Sequence, residues 1–124
     1  MKLSSIRIVT RDVLMLSRFY EAVTGFQATG NADFAEFRLP GSTLALCSVQ
    51  SITKDNVMAA VSSQNRSLIL EFEVADVDAE RARMQTLNIT WVMEPTTQPW
   101  GNRSMLFRDP DGNLINFFTV LGTS

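Results

Sequence analysis

FRDPDGNLINFF, residues Phe107 to Phe118, decides how the rest of the chain is read. An aromatic strand runs into Asp109-Pro110-Asp111-Gly112, reverses, and leaves as a second apolar strand. Pro110 presets φ at the first turn position, and Gly112 takes positive φ at little cost. Asp109 and Asp111 can accept hydrogen bonds from turn amides. The stretch therefore reads as a β-hairpin, with its aspartates structural rather than catalytic. On the outgoing strand sits Asn116, an uncharged amide among apolar neighbours.

Working outward, RLPGSTLAL (Arg38–Leu46) repeats the strand–turn–strand pattern of RDPDGNLINF (Arg108–Phe117). Upstream of each hairpin lies a second matching pair. VTRDV (Val9–Val13) and EVADV (Glu73–Val77) superpose at an offset of 64. This is an internal repeat. Each half reads β-α-β-β-β, and neither is long enough to bury a good core alone, so the halves are expected to share one.

In the first half, Ile6–Thr10 is a strand. Asp12 caps a helix whose apolar positions are Val13, Leu16, Phe19, Tyr20 and Val23, with Gly25 beyond its end. A short strand is expected at Gln27–Thr29, then strands at Asp33–Leu39 and Thr43–Ser48 about the Pro40-Gly41 turn. In the second half, Leu68–Val74 is a strand and Asp76 caps a helix through Leu87. Thr90–Met93 is a strand, and a loop holding Pro95 and Pro99 leads to strands at Asn102–Arg108 and Asn113–Val120. The polar stretch between the halves, 49–66, is expected to be a linker or flap with a short helix capped at Thr53 and carrying Met58 and Val61.

Composition narrows the chemistry. The chain has 124 residues, 45% of them hydrophobic, enough for one domain with a real core. A net charge of −2 argues against nucleic acid, which calls for a basic face. The one cysteine, Cys47, excludes an intrachain disulfide, and neither a signal peptide nor a membrane-spanning run is visible. The expectation is a cytoplasmic protein with no membrane partner. There is no histidine, which removes Ser-His-Asp and Cys-His nucleophile systems and every imidazole metal ligand.

Two βαβββ halves, RDV…FYEAVTGF in the first and W-G-N-R…F-R-D-P-D-G-N-L-I in the second, resemble the vicinal-oxygen-chelate superfamily. Its members include glyoxalase I, bleomycin-resistance proteins, extradiol dioxygenases and fosfomycin-modifying enzymes. The resemblance covers nearly the whole chain. It implies an α+β fold, two βαβββ modules forming a curled mixed sheet around a cavity, and a homodimer. In the metal-using relatives four positions supply His or Glu to the cavity. Here they fall on Ser5, Ala45, Ile69 and Asn116, and only the amide oxygen of Asn116 is even a weak ligand. The resemblance thus implies a member that has lost its metal site, with no cofactor.

Strand alternation indicates what lines the cavity instead. Ser5, Arg7 and Val9 share a face, as do Ile69, Glu71 and Glu73. Thr43, Ala45 and Cys47 share another, as do Leu114, Asn116 and Phe118. Arg7 and Glu71 are repeat-equivalents. They read either as an ion pair that satisfies itself or as groups that orient a ligand. Cys47 reads either as a small buried residue or as a thiol facing the pocket. Asn116 offers a donor and an acceptor. Trp100 suits stacking on a planar ligand or packing at a subunit boundary, and Arg103 suits a carboxylate or a stacked ring. Trp91, Phe34 and Phe37 read as core or wall.

The expected organisation is a single domain, 1–124, of two repeats at about 1–48 and 67–124 joined by 49–66. The expected function is metal-independent binding of a small planar or hydrophobic molecule through Arg7, Cys47, Glu71, Trp100, Arg103 and Asn116, with no catalytic residue. Drug sequestration in the style of bleomycin-resistance proteins is the nearest named activity. The alternatives are a lyase, isomerase or dioxygenase of the superfamily with a non-standard or absent metal site, using Glu71 or Cys47, and a purely structural module that binds a partner.

Overall fold

A computed structural model describes residues 1–53 and 60–122. The fold is α+β. The chain divides into two compact units, Met1–Gln64 and Asn65–Ser124, each carrying one four-stranded mixed sheet.

In the first unit the order along the chain is β1 (Ser5–Thr10), α1 (Val13–Thr24), β2 (Thr29–Gly30), β3 (Phe34–Leu39), β4 (Ser42–Ser48) and the short α2 (Val49–Thr53). Asp12 starts α1 by accepting the Met15 N–H at 3.0 Å, and Gly25 ends it in the left-handed region at φ 77°. Between these caps Val13, Leu16, Tyr20 and Val23 recur on one face and are buried. They meet the apolar side of the sheet, where Ala35, Phe37, Leu44 and Leu46 are also buried. The Tyr20 and Phe37 rings lie 6.2 Å apart, edge to face. Each such large side chain contributes about 1.5–3 kcal/mol on burial.

The sheet order is β1-β4-β3-β2, with β1 parallel to β4 and the other pairs antiparallel. The short strand expected at 27–29 lies slightly later, at Thr29–Gly30. Gly30 is required there, because a Cβ would overlap the Phe34 carbonyl oxygen. The connecting segment opens with α2, ahead of the helix expected at Thr53. Most of that expected helix falls on 54–59, outside the described residues.

The second unit repeats the plan: β5 (Ile69–Glu73), α3 (Val77–Arg83), β6 (Thr90–Thr97), β7 (Asn102–Arg108) and β8 (Leu114–Val120), in the order β5-β8-β7-β6 with β5 parallel to β8. Register repeats as well as order. Arg7 stands opposite Ala45 in the first sheet as Glu71 stands opposite Asn116 in the second. The unit's core gathers Leu70, Val77, Met84, Met105, Phe107, Ile115 and Phe117. The Phe107 ring lies 5.1 Å from Phe117 and 5.6 Å from Trp91.

Two expectations are corrected here. The helix capped by Asp76 does not stay α-helical to Leu87. It ends at Arg83 and tightens into a 3-10 turn, Met84–Thr86, closed by the Leu87 N–H on the Met84 carbonyl at 3.0 Å. That tightening accompanies full burial of Met84 and is a common way for a helix without a glycine cap to finish. The strand expected at 90–93 continues through Pro95 to Thr97. Proline is tolerated because β6 is an edge strand, and its pairing with β7 slips twice, between Trp91 and Met93 and between Met93 and Thr96. Among the described residues no helix is long and apolar enough to cross a membrane.

The DPDG turn is held from inside by Asp109, which is 4% exposed. Its Oδ1 accepts the N–H groups of Asp111 and Asn113, both at 2.9 Å, and its Oδ2 accepts the Asn113 amide at 2.7 Å. Asp109→Ala would leave buried donors without acceptors. It is expected to cost about 2–4 kcal/mol in urea unfolding, while Pro110→Ala at the exposed neighbouring position changes stability by less than about 1 kcal/mol. Equal effects of the two would deny Asp109 this role.

Candidate functional site

Alternation gives each sheet one face packed on its helix and one face turned the other way. On that second face of the first sheet, the pairing builds rows Ser5–Thr43–Arg38, Arg7–Ala45–Glu36 and Val9–Cys47–Phe34. Arg7 is exposed. Arg38 turns back onto Glu36 at 3.0 Å. Cys47 shares this face as expected but is only 1% exposed between Val9 and Phe34, so its thiol does not present itself to a solute. Phe37 is core, whereas Phe34 is 39% exposed and forms wall.

The corresponding face of the second sheet carries more chemistry. Its rows are Ile69–Leu114–Arg108, Glu71–Asn116–Leu106 and Glu73–Phe118–Ser104. Met93 stands beside Leu106 across the edge. Gln98 lies over the same face, its amide donating to Ser104 Oγ at 3.3 Å and to Met93 Sδ at 3.7 Å. The result is an apolar floor of Ile69, Leu106, Leu114, Phe118 and Met93 with a few polar groups set in it. Gln98, Ser104 and Met93 were not among the residues expected from sequence. Alternation along β7 could have found Ser104, but Met93 and Gln98 depend on the slipped β6–β7 register.

At the centre of this floor Asn116 Nδ2 points at Glu71 Oε1, 3.4 Å away. The carboxylate fixes the amide's direction, since turning it over would set two acceptors against each other. Asn116 Oδ1 is then buried and has no hydrogen-bond partner among the described residues. A buried acceptor left this way costs about 1–3 kcal/mol, and few native polar groups are left so.

Arg103 does not join this set. It stands opposite Thr119 on the helix-packed face, one residue out of phase with Asn102 and Ser104. There its guanidinium grips Asp78 at 2.7 and 3.0 Å and also donates to Thr97 Oγ1 at 3.0 Å. The hydrogen bond from Arg103 holds the Asp78 carboxyl below its ordinary value of 3.8, and the same bond raises Arg103. A cavity of about 250 Å³ beside this pair is lined by Asp76, Val77, Thr119 and Leu121, but its arginine is already committed. Trp100 is 72% exposed at the tip of the β6–β7 hairpin, next to Gly101, whose carbonyl receives the Leu121 N–H at 3.1 Å. Trp91 is wall on the helix side, with the Arg81 guanidinium 4.0 Å above its ring.

The four positions at which the resemblance implies metal ligands hold Ser5, Ala45, Ile69 and Asn116. Two are hydrocarbon and one is a hydroxyl, leaving a single amide oxygen. Among the described residues no three His, Cys, Asp or Glu side chains gather into a metal-holding group. This donor set does not fit a divalent cation.

A sequence model of the Glyoxalase/Bleomycin resistance protein/Dioxygenase superfamily matches residues 2–117. The chain belongs to that superfamily. It is 26% identical over 132 residues to the Bacillus subtilis (strain 168) protein YraH, a match covering 98% of this chain and all of that one. Among solved structures, a glyoxalase/bleomycin resistance protein/dioxygenase from Nocardioides superposes with a TM-score of 0.81 at 24% identity, covering 100% of this chain and 86% of that one. A glyoxalase/bleomycin resistance protein/dioxygenase family enzyme from Burkholderia phytofirmans PsJN superposes at 0.84 and 22%, covering 98% and 100%. At these identities the structural likeness carries the fold alone.

The Arg103–Asp78 pair makes a pH-dependent prediction. Because Asp78 is lowered on folding, its contribution is present above the ordinary carboxylate value and fades as pH falls through its folded value. Arg103→Gln should melt below wild type at neutral pH, and the gap should close in acid below that value. A gap that persists there would assign the loss to packing rather than to the ion pair.

Proposed function

We propose that this protein binds a small, planar or hydrophobic molecule without a metal, on the second-sheet face centred on Asn116. The observation that carries this reading is the buried, unpartnered Oδ1 of Asn116 within an apolar floor. A ligand N–H or O–H would supply the missing donor, Glu71 would set the amide's direction, and Ile69, Leu106, Leu114 and Phe118 would take the apolar body. No bond is broken in this scheme. Trp100 is assigned a stacking role at the hairpin tip. Sequestration of a drug, as in the bleomycin-resistance branch of the superfamily, is the nearest named activity.

A second reading, an enzyme of the superfamily, draws support from the Glu71 carboxylate beside Asn116. It requires Glu71 to act as a base, which a pH–rate profile following a carboxylate would reveal.

Asn116→Leu separates ligand binding from structure. Removing an unsatisfied polar group should leave the stability of the free protein unchanged or raise it by about 1 kcal/mol, while weakening binding. The check is thermal unfolding and fluorescence titration with bleomycin and a panel of planar aromatic drugs, with and without EDTA. Binding that survives EDTA and fails in Asn116→Leu supports the reading. Binding abolished by EDTA, or a strong loss of stability in the variant, would overturn it. Trp100→Ala should weaken binding far more than it lowers the melting temperature, and equal losses would assign Trp100 to structure.

A further inference from the structure

On the helix-packed side of the first unit, between α1 and the β2–β3 edge, lies a cleft of about 190 Å³ lined by Leu14, Ser17, Arg18, Glu21, Ala28 and Asn31, among others. It is on the opposite side of that sheet from Arg7 and Ala45, since Ala35, which also lines it, faces α1.

Its polar groups have unused capacity. Ser17 is 7% exposed, yet its Oγ has no partner among the described residues. A helical serine usually returns its hydroxyl to the carbonyl one turn back, and Ser17 does not. Arg18 and Glu21 are spaced to pair along α1. They do not, and Glu21 Oε2 accepts the Ala28 N–H at 3.0 Å. Arg18 is therefore an exposed cation with no carboxylate among the described residues. Asn31 commits Oδ1 to the N–H groups of Asp33 and Phe34 at 2.8 and 3.1 Å, which leaves its NH2 as a donor. Leu14, half exposed, and Ala28 add an apolar wall. Gly30, where a Cβ would strike the Phe34 carbonyl, keeps the β2 side of the cleft bare.

The cleft thus offers a guanidinium, an amide NH2 and a hydroxyl as donors against the second oxygen of one carboxylate. A simple anion would meet Glu21, and a simple cation would meet Arg18. A molecule bearing both charges avoids both repulsions. The volume equals about six water molecules at roughly 30 Å³ each, room for a compact organic molecule rather than a drug-sized one. We propose that this cleft binds a small zwitterion of the α-amino-acid kind. Its carboxylate lies on Arg18 and Asn31 with the Ser17 hydroxyl alongside, its ammonium on Glu21, and a short aliphatic side chain on Leu14 and Ala28.

The test is amide-resolved NMR titration of the whole chain with glycine, L-alanine, L-valine and L-proline, each to about 10 mM, which detects millimolar binding. Saturable shifts at Ser17, Arg18, Ala28 and Asn31 are expected for at least one of them. The N-acetyl and methyl-ester forms of that amino acid, each lacking one charge, should not saturate. Arg18→Gln, at an exposed position, should keep its melting temperature and weaken binding about tenfold, the scale of one charge-assisted hydrogen bond. Ser17→Ala should weaken it severalfold. No saturable shift with any of the four, shifts confined to other residues, or undiminished binding by Arg18→Gln would overturn the proposal.

Discussion

Parallel pairing of the first and last strands of each module is the constraint on which the rest of this structure depends. It forces a helical crossover, so α1 and α3 must each cover one side of a sheet. It also fixes which residues stand side by side in the middle of each sheet: Arg7 with Ala45, and Glu71 with Asn116. One residue of slip would send every one of these side chains to the helix face. The predominantly apolar sets on the helix side hold that register, and in the second unit the Asp109-centred turn ties β7 to β8 at its end.

Much of this was legible in the sequence because the signals are local. The cap pair Asp12 and Gly25 marks both ends of α1, and the DPDG turn announces its hairpin. The repeat-equivalence of Arg7 and Glu71 follows from strand spacing and reappears as equivalent register. The failures arise where long-range contacts decide. Pro95 looks like a strand breaker until β6 is known to be an edge strand with a slipped register. The last turn of α3 tightens at the fully buried Met84, a change of helix type that its i, i+7 spacing from Val77 does not reveal.

The site was legible in part for the same reason. Alternation placed Glu71 and Asn116 each on a shared face of its own strand, and the pairing of β5 with β8 makes them neighbours. Arg103 reads as a free recognition arginine, yet its partner Asp78 is 25 residues away in sequence and on the other face. Cys47 lies on the expected face, but its burial is a property of packing. Gln98 reaches Ser104 and Met93 only because the β6–β7 hairpin folds its amide over the sheet. Superfamily membership accounts for the fold. The chemistry depends on the particular side chains rather than on the fold.

The central claim, that the Asn116 face serves a small organic molecule and not a metal ion, is tested most directly by native mass spectrometry of the protein isolated from its own host without chelators. The account predicts bound small organic mass and no stoichiometric divalent metal. One divalent metal per chain, retained through desalting, would contradict it and return the protein to the superfamily's metal-dependent members.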